Sequence, residues 1–208
     1  MRKILLIIAM AGICQLSNAQ AVEQGNVCFD ISYGFPNLWS SVLKSALVSG
    51  DVVGVDVGSI GPVAGKFEYM VADKIGVGVI LNYANTSVSW TDTYNVWNQT
   101  TGVSVPTTFD YKVSAPRLRV MGKFSFHYGN SDSFDGYTTI AAGYGSLKFK
   151  IDSSDPDYSE DDFSLNATPV AIRIATGGKY YFSDNFGIHM EFGIGGGGLI
   201  EGGLSLKF

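Results

Sequence analysis

An all-β fold is what this 208-residue sequence predicts: an eight-stranded antiparallel up-and-down transmembrane β-barrel behind a signal peptide. Three observations carry the prediction. Segments of about ten residues alternate between apolar or aromatic positions and small or charged ones, which is the period of a strand at the length a tilted membrane strand needs. The second face is too charged for the core of a water-soluble domain, so the apolar face belongs in lipid and the polar face inside. The connections alternate long and short, as they do in single-chain barrels of the bacterial outer membrane.

Before the first strand, Met1-Arg2-Lys3 is positive, Ile4 to Ile13 is apolar, and Ser17 and Ala19 are small. This pattern predicts a secretory signal peptide over residues 1–19, cleaved before Gln20, and a barrel domain over 20–208. The apolar run is too short to cross a membrane as a helix, which takes roughly 20 residues. Ile13, where a lipobox needs a small residue, argues against a lipoprotein at Cys14. Without Arg2 and Lys3, twelve basic residues face nineteen acidic ones, a net charge of −7. That balance argues against nucleic acid or an anionic surface as partner. Only Cys28 remains, so neither an internal disulfide nor a cysteine metal cluster is available.

The first strand runs from Gly25 to Phe35, with Val27, Phe29, Ile31, Tyr33 and Phe35 outward and Cys28 and Asp30 inward. A long connection, Asn37 to Ile60, follows, and the near-helical spacing of Trp39, Val42, Leu43, Ala46 and Leu47 predicts a short helix in it. The second strand, Pro62 to Val71, turns at 72–74 into the third, Ile75 to about Trp90. Thr91 to Thr107 reads as a polar loop. The fourth strand lies within Thr108 to Tyr128, and its apolar parity slips by one before Pro116, which predicts a bulge near Ala115-Pro116. The fifth, Asp135 to Asp152, reads with Lys148 and Lys150 inward and Leu147, Phe149 and Ile151 outward. The acidic loop Ser153 to Leu165 leads to the sixth, Ala167 to Phe182. The last two strands are Phe186 to Ile194 and Leu199 to Phe208, joined by four glycines suited to a tight turn.

Long connections after strands one, three and five set the orientation, with both termini periplasmic and the long loops at the cell surface. Aromatic residues gather at both ends of the strands, including Tyr69, Phe126, Tyr128, Tyr137 and Phe208 at one and Tyr33, Tyr83, Trp90, Tyr111 and Phe149 at the other, as interfacial rings do.

Three stretches give a family resemblance: Asp30 to Leu38, Gly61 to Tyr69 followed by Asp73-Lys74, and Gly202 to Phe208. The mature chain resembles the small eight-stranded outer-membrane β-barrels of Gram-negative bacteria, the OmpA/OmpX-like group. The resemblance implies outer-membrane localisation and an insertion signal at Leu204, Leu206 and Phe208, read by the barrel-assembly machinery. It implies no single activity, since that group includes structural, adhesive and serum-resistance proteins and a few barrels of this size are enzymes.

The inward charges Asp30, Lys66, Glu68, Arg117, Arg119, Lys123, Arg173, Lys179, Glu191 and Glu201 predict a paired network filling a narrow lumen, because eight strands leave room only for side chains. A narrow channel for small solutes or ions is the alternative. A lipid hydrolase is a third reading, but neither His127 nor His189 shows a serine or aspartate constellation in the sequence, and no catalytic residue is assigned. No cofactor or metal is expected: the carboxylates Asp152, Asp155, Asp157, Glu160, Asp161 and Asp162 do not follow a calcium-loop spacing, and Gly193 to Gly198 has no helix after it to hold a nucleotide. The expected partners are outer-membrane lipid, the assembly machinery and an extracellular ligand at loops 37–60, 91–107 and 153–165, with no nucleic acid. The expected role is structural or surface-interactive, as a monomer.

Overall fold

The computed structural model describes residues 21–37, 40–41, 45, 54–100, 102–128, 131–156 and 170–208. The signal-peptide span 1–19, most of the helix expected after Asn37 and most of the acidic loop lie outside the described residues. Among the described residues, ten strands form one antiparallel sheet: β1 (Val27–Phe35), β2 (Asp56–Ala72), β3 (Ile75–Asn98), β4 (Val103–Ser114), β5 (Arg117–His127), β6 (Phe134–Leu147), β7 (Lys150–Ser153), β8 (Val170–Tyr181), β9 (Phe186–Gly195) and β10 (Ile200–Lys207). The sheet closes on itself, because β1 pairs with both β2 and β10 and β2 pairs with β3. Ten strands make eight staves. β4 and β5 share one register against β3, from Ser87↔Ser114 to Ala84↔Arg117. β6 and β7 share one against β5 and β4, from Arg117↔Leu147 to Ser114↔Lys150.

Within the apolar band burial alternates along the staves, and it is inverted relative to a water-soluble protein. The buried face holds Lys66, Glu68, Arg173, Lys179, Glu191 and Glu201, while Ile31, Phe67, Leu81, Leu118, Ile140, Ile188 and Phe192 stand exposed on the other. Charges enclosed by the sheet and a belt of bare apolar residues around it are stable only if the surroundings are lipid. On the stave of β5 the apolar face runs from Tyr128 to Leu118, about 33 Å of strand at roughly 3.3 Å per residue. At the roughly 40° tilt of such barrels that is about 25 Å of depth, the height of a hydrocarbon band.

The parity slip before Pro116 has a cause other than a bulge. The register against β3 is the same on both sides of Ala115-Pro116, and Ala115 N donates to Thr86 O at 2.8 Å. The sheet keeps its faces while its surroundings change. Below Pro116 the outward positions Leu118, Val120 and Phe124 are apolar; above it, the exposed Lys112 and Asp110 are polar. The inward face makes the opposite change, from Arg117 and Arg119 to Val113, Tyr111 and the buried Phe109. The wall has left lipid for water, so its apolar side turns inward. The neighbouring stave changes at the same level, which corrects the fifth strand: Lys148 and Lys150 are exposed, and Leu147 lies opposite the buried Arg117.

Residues 91–107 are corrected as well. They are mostly strand, the tip of a long β3–β4 hairpin with Asn98 paired to Val103. A register shift does occur on β2, between Ile60 and Val63. Tyr137 is enclosed in the barrel rather than in an interfacial ring. Trp90 stacks on Tyr111 with centroids 5.6 Å apart, on the sheet's inward side.

Candidate functional site

The enclosed charges assemble in tiers. In the middle tier, Lys66 Nζ lies 3.0 Å from Glu191 Oε2 and 2.8 Å from Glu201 Oε2. Arg173 Nη2 lies 2.7 Å from Glu191 Oε1 and 3.1 Å from Glu201 Oε1. Two cations and two carboxylates thus form a closed square, drawn from β2, β8, β9 and β10. Tyr137 donates to Glu191 at 3.0 Å and Ser32 to Glu201 at 3.2 Å, which occupies further acceptor positions.

The tier toward the short-turn end is built on Glu68 and Asp30. Lys123 lies 3.2 Å and Lys179 3.6 Å from Glu68 Oε2, and Lys179 also reaches Asp30 at 2.9 Å. His127 has a carboxylate at each ring nitrogen: Asp135 at 2.9 Å from Nδ1 and Glu68 at 3.4 Å from Nε2. His189 Nδ1 lies 3.0 Å from Ser205 Oγ. Each histidine thus has an acid or hydroxyl partner that spacing in the sequence does not show. Asp135, Tyr137 and Ser205 join the charged residues here, all on the inward parity of β6 and β10. Their partners lie across the barrel, where sequence spacing carries no signal.

Toward the long-strand end, Arg117 donates to Asn37 Oδ1 at 2.9 Å and Thr86 Oγ1 at 3.2 Å. Arg119 reaches Asn82 Oδ1 at 3.5 Å. The glycine run folds in over this tier. Arg173 Nη1 donates to Gly198 O at 3.2 Å, and Gly198 N donates to Glu201 Oε1 at 3.0 Å. A Cβ at Gly197 would collide with Glu201 and Arg173, and one at Gly198 with the Gly34 backbone. The space left beneath is a cavity of about 70 Å³ lined by Asn37, Arg117, Arg119 and Gly197.

The opposite mouth is filled by Ala21 and Val22, which are buried with Cys28, Met70 and Tyr181. Lys207 Nζ donates to Ala21 O at 2.6 Å and lies over the Tyr181 ring. Both ends of the lumen are thus stoppered by the chain itself. Cys28 is a free, buried thiol. Among the described residues no group of three His, Cys, Asp or Glu side chains is placed to hold a metal ion. Leu204 and Phe208 lie exposed on the outer wall and Leu206 is half-buried.

Above the lipid band, Tyr94 donates to Asp155 and stacks on Phe109 with centroids 4.8 Å apart. That hydrogen bond holds the Tyr94 phenol above its ordinary pKa. Together they tie the hairpin to the segment after β7.

Closure of the sheet, the apolar outside and the ion-paired inside define the class: an integral outer-membrane β-barrel of eight staves. No protein-family profile and no curated protein matches the chain. Among solved structures it is similar to OprG from Pseudomonas aeruginosa, at 14% identity over 92% of this chain and 99% of that one, with a TM-score of 0.44. It is also similar to the N-terminal β-barrel domain of Pseudomonas aeruginosa OprF (12% identity, 89% and 99% covered, TM-score 0.42). The third is Ail, the attachment invasion locus protein of Yersinia pestis (14% identity, 89% and 99% covered, TM-score 0.41).

Proposed function

We propose that this barrel is a non-conducting membrane anchor that presents a rigid sheet at the cell surface for interaction with an extracellular partner. The observation that carries this reading is the contrast between its two parts. The lumen is crossed by the Lys66–Glu191–Arg173–Glu201 square and stoppered at both ends. The β3–β4 hairpin continues well past the lipid band and exposes Val96, Trp97, Val103 and Val105 at its tip. Burying such residues against a partner is favourable, whereas leaving them in water contributes nothing to the barrel. In this orientation both termini are periplasmic and the hairpin is outside.

Two measurements test the reading. An impermeant maleimide should label Gln99→Cys on intact cells, since Cys28 is buried and silent. Labelling only after the outer membrane is breached would reverse the orientation. Planar bilayers containing the purified barrel should show no discrete conductance steps; reproducible steps would favour the solute channel instead.

A further inference from the structure

The chain is net negative, yet three of its exposed lysines gather on one side of the barrel. Among the described residues, the cations away from the ion-paired tiers of the lumen are Lys74 at a short turn, Lys207 in the mouth at the same end, and the exposed Lys112, Lys148 and Lys150. The last three share one side of the barrel. Lys150 lies opposite Ser114, Lys112 lies opposite Asp152, and Lys148 N donates to Pro116 O. They therefore stand at the level where the outer wall changes from apolar to polar, directly above Leu118 and Tyr144. None of the three has a carboxylate within ion-pair distance among the described residues. The nearby acids Asp152, Asp110 and Asp56 lie further from the lipid, so Lys148 and Lys150 have no carboxylate on their lipid side among the described residues.

We propose that Lys148 and Lys150, with Lys112 behind them, form a docking surface for the phosphates of an outer-leaflet glycolipid. The inference rests on the orientation proposed above. Long lysine stems can lie along apolar surface and deliver their ammonium groups to the headgroup level. Alternate residues of a strand are about 7 Å apart, so the pair suits a headgroup with more than one phosphate. Below them, Tyr83, Leu118 and the 73%-exposed Tyr144 offer acyl chains an aromatic and aliphatic wall. A lysine at an anionic surface is worth about a fivefold gain in binding, and two about twenty-five-fold.

The test is native mass spectrometry of the full barrel in detergent micelles, titrated with bisphosphorylated lipid A, its dephosphorylated form or phosphatidylglycerol. Lipid A should be retained by the parent and by Lys74→Gln, and about twenty-five-fold more weakly by the Lys148→Gln/Lys150→Gln double variant. Dephosphorylated lipid should bind the parent no better than lipid A binds the double variant. Unchanged lipid A binding in the double variant would overturn the proposal, and so would equal retention of phosphatidylglycerol by the parent. Micelle binding does not depend on which way the barrel is inserted, so a failed lysine test and a failed surface-labelling test are distinct results.

Discussion

Glu191 shows what single residues contribute to this barrel. Its carboxylate accepts from Arg173 Nε at 3.0 Å and Nη2 at 2.7 Å, from Lys66 at 3.0 Å and from Tyr137 at 3.0 Å. Four bonds from three side chains compensate the desolvation of one buried carboxylate. Glu191→Gln would remove the charge and leave Glu201 as the carboxylate nearest both cations. The expected cost is about 3 kcal/mol, the lower end for breaking a buried pair, because Glu201 still offsets part of it. Urea titration read by the gel shift between folded and unfolded barrel measures it, and an unchanged midpoint would show the square to be energetically idle. The sequence shows that Glu191 faces inward, because parity needs only neighbours in the chain. It does not show the partner, because Lys66 lies on the far side of a closed sheet and its distance is set by barrel diameter.

At the scale of elements, closure depends on strands that approach one another closely. On β10, Gly202 and Gly203 sit side by side with opposite requirements. A Cβ on the lipid-facing Gly202 would meet His189 O at an ordinary 3.7 Å, whereas one on the inward Gly203 would collide with the carbonyl oxygen of Ile31 on β1. Gly202→Ala should shift stability by no more than about 0.5 kcal/mol. Gly203→Ala should cost about 1–3 kcal/mol as overpacking and lower the yield of the fast-migrating folded form. Equal yields from the two variants would mean that the β1–β10 seam is looser than its geometry. The staves within the lipid band were legible because lipid outside and charge inside impose one period. The elements above the band were less legible for a physical reason. There the outward face meets water, the apolar residues move inward, and the same strand reads as though its register had slipped. The hairpin over 91–107 escaped notice because its polar residues and Pro106 resemble a loop, although Trp97↔Ser104 and Asn98↔Val103 pair it to its tip.

For the whole molecule, the inversion at Pro116 fixes how deep the barrel sits. Tyr128, Phe124, Val120 and Leu118 mark the lipid band on one stave, and the exposed Lys112 and Asp110 mark water on the same face. Trp90 lies above that level, half-buried against Tyr111 on the sheet's inward side, so it packs on that ring rather than in an interfacial girdle. A variant with Trp90 as its single tryptophan, made by Trp39→Phe and Trp97→Phe, separates the two placements. In vesicles of lipids brominated along the acyl chain, Trp90 emission should stay within about a tenth of its value in unbrominated lipid, because heavy-atom quenching needs contact and the hydrocarbon ends near Pro116, about 16 Å of strand below its partner Tyr111. Adding Leu118→Trp to the same background should give strong quenching, since that side chain projects into the band. If Trp90 alone were quenched as strongly as the Leu118→Trp reporter, the wall would still be in lipid at the level of Tyr111. The exposed lysines at 148 and 150 would then be submerged in hydrocarbon, where their charges could not be sustained.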